Sequence, residues 1–325
     1  MKNKPESYQS ILAPYITGLL EEKRANGFSY TAKETTLWQF DEYCVSQHLD
    51  SLEVSKDFLA PWMERQDSES PSCHEDRISC VRQLMLYMAS CGISVYIPHD
   101  FYHSRKPYPH IFDQCEIRDF FRALDGYQPR NISFEARLVG EYRMAFRLYC
   151  CCGMRNSEVV GAPAKNVDLD AGTWTVLDGK GNKDRIVYLP DDIRQSCRDY
   201  FSWLCNDLGF MPEWFFPAKD TKKHLRNATI DNVFTKFWNM TPHADCANKP
   251  TVHDFRFTFV VNRMNLWAEK GVDLKVMMPY LSRYLGHKTT KETFYYYYLV
   301  SDAYRTVDNK DSIACDVIPE VMRHG

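Results

Sequence analysis

The chain has 325 residues, a formal net charge of −3, and a composition of 44% hydrophobic, 14% aromatic and 26% charged residues. This length allows two ordinary domains with separate cores, and the composition excludes a largely disordered chain. The slight negative charge argues against a protein that coats nucleic acid over its whole surface. The sequence has no apolar run that spans a bilayer and no signal peptide, so we expect a cytoplasmic protein without a membrane partner.

Residues 7–94 carry apolar side chains at helical spacing, which predicts a small all-helical domain. Within this range, the third of the helical runs covers 58–63 and is followed by the turn-rich segment DSESPSC. A fourth run covers 77–88. We therefore predict a helical domain at 1–100.

The next segment, YIPHDFYHSRKPYPHIF, contains three prolines and two adjacent cations, Arg105 and Lys106. Proline-rich segments are stiff and extended, so this segment reads as a basic interdomain linker at 101–111. The second domain then covers 112–325.

The second domain begins with predicted helices at 115–124 and 134–152. Gly153 ends the second of these helices, because glycine readily adopts the left-handed conformation found after helix ends. A new helix is predicted to start near Asn156.

The segment TWTVLDGKGNKDRIVYLP contains two β-type runs, 173–177 and 185–189, joined by a polar, glycine-rich tip. This pattern predicts an antiparallel hairpin. An amphipathic helix follows Pro190, since apolar residues recur there at steps of three and four. Further helices are predicted at 230–238, 254–269, 274–285 and 291–299. The fold class is therefore mainly α, with a small antiparallel sheet.

The 12 cysteines are scattered, and no C-x-x-C pair occurs in the sequence. Cys73 and His74 form the one adjacent Cys/His pair, and no second pair stands at the spacing that metal ligands need. We therefore expect free thiols in a reducing compartment and no metal site.

Five polar side chains stand at positions from which they can carry chemistry. His253 and Arg256 lie three residues apart at a predicted helix start, so both project from one face and could hold an anion. His287 lies in a turn, Arg155 follows a helix end, and Lys180 lies at the hairpin tip. Taken singly, each of these residues is equally compatible with an ordinary solvent-exposed side chain.

Near the end of the chain, ETFYYYYLV places four tyrosines in a row, at 295–298. Four segments, GMRNSEVV, GKGNKDRIVYLP, HDFRFTF and LGHKTTKETFYY, occur in an order and at separations that resemble the tyrosine recombinase (phage integrase) family. The resemblance covers about 134–299. It implies a SAM-like helical core-binding domain that contacts DNA at 1–100. It also implies a mixed α/β catalytic domain with a C-terminal tail at 112–325.

The resemblance also implies catalytic roles. Arg155 and Arg256 hold the scissile phosphate, and Lys180 protonates the leaving 5′ oxygen. The remaining positions are Tyr296 as nucleophile, His253 and His287 for hydrogen bonding and proton transfer, and Glu158 as the acidic residue that braces the site. Tyr296 is selected because it stands nine residues after His287. A one-residue slip to Tyr295 or Tyr297 stays open.

The chemistry of phosphoryl transfer explains these residue types. A phosphodiester is anionic, and two guanidinium groups offer permanently charged, bidentate donors to its oxygens. Tyrosine has an ordinary pKa of about 10, so its oxygen needs neighbouring cations or a proton acceptor to attack. Because the energy of the broken phosphodiester bond is retained in a phosphotyrosyl ester, the implied reaction needs neither ATP nor another cofactor.

The implied partner is double-stranded DNA, on which the family assembles a synaptic tetramer; an accessory protein or a partner recombinase stays open. DNA affinity gains from phosphate neutralisation, so an acidic chain is expected to collect its cations on one face. Between 251 and 305, eight cations stand against five anions. The candidates for DNA contact are Arg105, Lys106, Lys183, Arg185 and Lys288.

One position departs from the family pattern, because Phe257 stands where the family often has histidine. We expect little effect there, since the position is not catalytic. Three alternative functions stay open. They are a type IB topoisomerase, a DNA-binding accessory protein without activity, and a metal-dependent nuclease, although no carboxylate cluster favours the last of these.

Overall fold

The computed structural model describes residues 7–28, 30–67, 69–99, 108–129, 133–179, 183–246, 249–287 and 289–297. The chain divides into two compact units, Met1–Pro107 and Tyr108–Gly325. This division falls inside the segment 101–111, of which only 108–111 lies in the described ranges. Within those ranges no helix is both long enough and apolar enough to cross a membrane.

The first unit is helical throughout its regular structure. Its described helices are α1 (Ala13–Ala25), α2 (Thr31–Ser46), α3 (Lys56–Met63) and α4 (Pro71–Ser90). The predicted start of the fourth helix, at 77, was wrong by six residues. The Ser70 hydroxyl accepts a hydrogen bond from the Cys73 amide at 3.2 Å, and Pro71 takes the first helical position. The serine and proline therefore cap a helix rather than form a turn.

The first unit has an apolar core and, among its described residues, a largely buried ion pair. Residues such as Leu12, Phe40 and Leu84 are completely buried in this core. The Arg77 guanidinium reaches Glu69 at 2.8 Å, with both side chains largely buried. This pair ties α4 to the segment that follows α3, because a buried charge is tolerated only when it is paired.

The second unit is mainly helical with a small antiparallel sheet, as the sequence predicts. Its strands are β1 (Val167–Asp168), β2 (Thr173–Gly179) and β3 (Lys183–Tyr188), in the antiparallel order β1-β2-β3. Its described helices are α5 (Gln114–Asp125), α6 (Ser133–Cys152), α7 (Asn156–Val160), α8 (Asp191–Leu208), α9 (Asn227–Trp238), α10 (Val252–Glu269), α11 (Leu274–Leu285) and α12 (Thr290–Tyr297), with a 3-10 turn at Ala164–Asn166. The hairpin prediction is confirmed, whereas β1 was missed because two residues are too short to show alternation.

Aromatic side chains form the centre of the second unit. Phe112, Phe120, Phe146, Phe234 and Phe255 are buried, and their rings contact one another at centroid distances of 4.6–6.3 Å. Rings of this size supply most of the apolar area of a core and prefer edge and offset contacts. Because α5, α6, α9 and α10 all contribute to this cluster, it fixes the ends of α6 and α10 relative to each other.

Candidate active site

A glycine turn at the end of α6 sets the position of Arg155. Gly153 has φ +59°, and a Cβ added there would lie 2.4 Å from the Phe259 ring. Only glycine combines this backbone conformation with so close a neighbour. The prediction that Gly153 ends the helix is confirmed. The turn places Arg155 at the N-cap position of α7.

Glu158 lies one turn into α7 and is clamped by two arginines. Its Oε1 accepts hydrogen bonds from Arg155 Nη1 at 2.8 Å and Arg185 Nη1 at 2.7 Å. Its Oε2 accepts from the Arg155 amide at 2.8 Å and from Arg185 Nη2 at 2.6 Å. Burial by itself raises the pKa of Glu158, but the hydrogen bonds and charges of Arg185 and Arg155 outweigh it and lower that pKa to about 2. Glu158 is therefore ionised and orients both guanidiniums.

The structure gives Arg185 a different place from the one predicted. Its side chain is only 6% exposed, and its Nε donates to the Tyr284 carbonyl at 2.8 Å while both Nη atoms donate to Glu158. This placement does not support the predicted DNA contact, because most of its donors are used inside the protein. Arg185 shares a strand face with the buried Val187, and that alternation is the sequence signal for its burial.

Arg256 is the most deeply buried cation of the site. It lies one turn into α10, is 2% exposed, and donates from Nη1 to the Gly153 carbonyl at 2.8 Å and from Nη2 to the Leu285 carbonyl at 2.6 Å. Burial lowers the pKa of Arg256 to about 10, and the neighbouring Arg155 adds to that effect. The guanidinium therefore stays charged at neutral pH.

Tyr296 lies on α12 with its ring in an apolar cluster, near enough to Arg256 and Arg155 for their charges to act on its phenol. The residue is 4% exposed and packs with side chains of α10 and α11, including Val260 and Leu281. Burial raises the pKa of the Tyr296 phenol, while the charge and hydrogen bond of Arg256, and then the charge of Arg155, act in the opposite direction. Its pKa stays above the ordinary value, so the phenol holds its proton at neutral pH.

His287 contacts both Arg256 and α12, the nucleophile helix that carries Tyr296. It follows Gly286, which has φ +67° and ends α11. Its Nε2 lies 3.5 Å from Arg256 Nη2, and its Nδ1 lies 2.7 Å from Thr293 Oγ1. Its ring also stacks on the Tyr296 ring, with 5.9 Å between centroids and 15° between planes. Thr293 is a site residue that the sequence reasoning missed.

His253 and Phe257 are in ring contact beside Tyr296. The exposed His253 meets the edge of Phe257 at a centroid distance of 5.1 Å, and Phe257 in turn contacts the Tyr296 ring at 5.1 Å. The residue that stands in place of the family's usual histidine therefore touches the predicted nucleophile. Its aromatic ring takes part in positioning Tyr296 by packing.

Several predicted residues cannot be placed. The side chains of Tyr295 and Tyr297 on α12 also lie outside what the structure describes, so the choice of Tyr296 among its neighbours stays a prediction. The predicted leaving-group acid, Lys180, lies outside the described ranges. So do the predicted DNA contacts Arg105, Lys106 and Lys288, and the side chain of Lys183.

The arrangement is suited to hold a tetrahedral anion next to a phenol. Arg256 and Arg155 both act electrostatically on the Tyr296 phenol, in the direction that lowers its pKa. Fixed guanidinium donors in a buried pocket stabilise charge that develops on phosphate oxygens. Across the described residues, no group of three His, Cys, Asp or Glu side chains could hold a metal ion.

Comparisons with known proteins identify the family of the chain. The model of the phage integrase family matches residues 128–303, and the chain belongs to that family of tyrosine recombinases. The chain is 23% identical over 288 residues to integrase/recombinase y4rB of Sinorhizobium fredii, covering 85% of this chain and 89% of that protein.

Two solved structures share the fold. The Tn1549 transposon integrase in complex with transposon right end DNA has a TM-score of 0.65 at 14% identity, covering 91% of this chain and 98% of that one. A lambda integrase tetramer bound to a Holliday junction has a TM-score of 0.57 at 13% identity, covering 90% and 80%. At these identities the likeness shows the fold, and it confirms the predicted fold class.

Proposed function

We propose that this chain is an active site-specific recombinase that cuts and rejoins DNA strands through a 3′-phosphotyrosyl bond to Tyr296. The observation that carries the proposal is the placement of the Tyr296 phenol where the charges of Arg256 and Arg155 both act on it, against the effect of burial on its pKa. A nucleophile and two phosphate-binding groups are thus already within reach of one another.

In the proposed reaction, the scissile phosphate accepts hydrogen bonds from Arg256 and Arg155 next to the Tyr296 hydroxyl. The carbonyls of Gly153 and Leu285 hold the guanidinium at Nη1 and Nη2, so it does not need to reorganise when the phosphate arrives. A fixed, desolvated donor stabilises the transition state more than a flexible, hydrated one. Arg155, which Glu158 orients, provides the second guanidinium that binds the phosphate.

The chemical step exchanges one phosphoester for another. The Tyr296 oxygen forms a bond to phosphorus while the bond to the 5′ oxygen breaks. The phenol proton passes to an acceptor in the site, and Lys180 supplies the proton that the leaving 5′ oxygen takes up. Because the new ester keeps the energy of the old one, a 5′ hydroxyl of another strand can reverse the step and complete the exchange.

The proposed partners follow from this chemistry. The substrate is double-stranded DNA, and strand exchange between two duplexes requires several protomers, so we infer a tetramer on DNA. The solved relatives with the same fold, which are complexes with transposon DNA and with a Holliday junction, support both inferences. The reaction takes place where the DNA is, so the proposed location is the cytoplasm.

The test is to trap the covalent intermediate. The Tyr296→Phe variant is first used to select bound sites from a random DNA library. The wild-type protein is then incubated with the selected site carrying a nick next to the cleavage position, so that the leaving fragment diffuses away. We expect a covalent protein–DNA adduct whose modified residue maps to Tyr296 by mass spectrometry.

The outcomes separate the alternative functions. An adduct that maps to Tyr295 or Tyr297, or that persists in Tyr296→Phe, would contradict the assignment of the nucleophile. Selection of a site without any adduct would favour a DNA-binding accessory protein. Relaxation of supercoiled plasmid without a specific site would favour a topoisomerase, and cleavage that a chelator abolishes would favour a metal-dependent nuclease.

A further inference from the structure

A threonine hydroxyl on the nucleophile helix contacts one ring nitrogen of His287. Thr293 lies three residues before Tyr296 on α12 and is completely buried, with 0% of its surface exposed. Its Oγ1 lies 2.7 Å from His287 Nδ1, within the range of a good hydrogen bond. Because Thr293 is shielded from solvent, water does not compete readily for this contact.

The other ring nitrogen determines which group donates the hydrogen bond. His287 Nε2 lies 3.5 Å from Arg256 Nη2, and a guanidinium has only donors. A proton on Nε2 would place two donors against each other, whereas the lone pair of Nε2 is attracted by the positive charge. In the neutral ring the proton therefore resides on Nδ1, and Nδ1 donates to the Thr293 hydroxyl.

We propose that Thr293 is a positioning residue that holds His287 in its neutral Nδ1–H tautomer, with Nε2 facing Arg256 as a proton acceptor. The consequence for the reaction rests on the proposed function, because it concerns a proton in the phosphate site. The tautomer itself is a property of the DNA-free protein. A histidine preset in this way enters the reaction able to accept a proton at Nε2 rather than to donate one.

The nucleophile and the histidine are coupled through one helix. Because α12 carries both Thr293 and Tyr296, docking of this helix places the phenol at Arg256 and sets the His287 tautomer in the same event. The parallel stacking of the His287 and Tyr296 rings depends on the same ring orientation. Without the Thr293 hydroxyl, a proton on Nδ1 would have no buried acceptor. The Nδ1–H tautomer would then lose part of its advantage over the Nε2–H tautomer.

The tautomer can be measured directly on the full-length protein without DNA. Nitrogen-15 NMR of labelled histidine separates protonated from unprotonated ring nitrogens, at about pH 9, where an ordinary histidine is neutral. The signal of His287 is identified among the ten histidines by its loss in His287→Gln. We expect wild-type His287 to carry its proton on Nδ1. In Thr293→Val, which keeps the side-chain shape and removes the hydroxyl, the tautomer ratio should shift toward Nε2–H by roughly 2- to 10-fold.

Two variants control for trivial effects. Thr293→Ser restores the hydroxyl and should return the wild-type ratio. Thr235→Val removes another helical hydroxyl, which bonds the Asp231 carbonyl on α9, and should leave His287 unchanged. A wild-type His287 protonated on Nε2 would overturn the proposal even if Thr293→Val does not fold. An unchanged ratio in folded Thr293→Val would overturn it as well. Neither result depends on whether Tyr296 forms a DNA adduct, so failure of the proposed function is recognised separately.

Discussion

Arg256 illustrates at the scale of one residue how a buried cation is kept ready for an anion. Two main-chain carbonyls accept hydrogen bonds from the guanidinium, and its charge acts on the Tyr296 phenol. Burial lowers its pKa only to about 10, so the charge remains at neutral pH. A phosphate that enters the site then finds a donor whose position is already fixed.

Replacing Arg256 with lysine tests this requirement for a fixed, forked donor. Lysine keeps the charge but offers a single ammonium on a flexible stem. We expect Arg256→Lys to slow covalent-adduct formation by about 10²- to 10³-fold. DNA binding, measured by gel shift, should change by far less, because phosphate contacts elsewhere provide most of the affinity. Arg198→Lys, at an arginine that pairs with Asp170, is the matched control. A wild-type adduct rate in Arg256→Lys would contradict the assigned role.

The carboxylate of Glu158 makes a pH-dependent contribution to stability. Its pKa is lowered from 4.5 to about 2 in the folded protein, so the stabilisation is present above the unfolded pKa and is lost as pH falls toward the folded pKa. We expect the unfolding free energy of wild type to exceed that of Glu158→Gln at pH 7. This difference should narrow by about 2 kcal/mol by about pH 3.

Urea denaturation followed by tryptophan fluorescence measures this difference. Glu213→Gln removes an exposed carboxylate from the same unit and is the matched control. A difference between wild type and Glu158→Gln that stays constant from pH 7 to pH 3 would show that Glu158 does not draw its stabilisation from its ionised form.

At the scale of the element, the short connection from α6 to α7 determines where the phosphate pocket lies. Gly153 turns the chain so that its carbonyl meets Arg256, and Arg155 follows two residues later at the start of α7. The two arginines are distant in sequence, and this turn brings the first of them to the second. A change in the turn therefore alters both the stability and the geometry of the site.

Gly153→Ala should cost more than the conformational strain of a left-handed alanine. That strain is about 1–2 kcal/mol, and the clash with Phe259 should add about 1–3 kcal/mol. Gly209→Ala is the matched control, because Gly209 has φ +73° with no atom within 4 Å of an added Cβ. Chemical denaturation of both variants measures the difference. Equal losses of stability would mean that Phe259 moves aside freely.

At the scale of the whole molecule, a chain with a net charge of −3 is proposed to bind a polyanion. Its cations must then act locally, at the phosphates they touch, rather than through the mean field of the protein. The division into two compact units is compatible with a separate DNA-binding role for Met1–Pro107, which stays a prediction.

The salt dependence of DNA binding tests this local neutralisation. If about six or more phosphates are contacted, affinity for the selected site should fall at least about 10³-fold between about 50 and 200 mM salt. Fluorescence anisotropy over this range gives the slope of log affinity against log salt. A slope close to zero would contradict phosphate contacts as the main source of affinity, whatever the fate of the catalytic assignments.

The sequence by itself determined the mainly helical fold, the hairpin and the order of the family's motifs. Helices and hairpins follow from periodicity and turn residues within a few positions, and for that reason Gly153 and the strands of the hairpin were placed correctly. The start of α4 was not placed correctly, because serine followed by proline is found both in turns and in helix caps.

Only the tertiary structure decided which side chains meet. Arg185 was predicted to face DNA, yet it pairs with Glu158, 27 residues away, and bonds the Tyr284 carbonyl, 99 residues away. The contact of Phe257 with Tyr296 and that of Thr293 with His287 likewise depend on how α10, α11 and α12 pack. Local patterns specify the elements, whereas contacts between elements arise from the packing of the whole core, which no short stretch of sequence encodes.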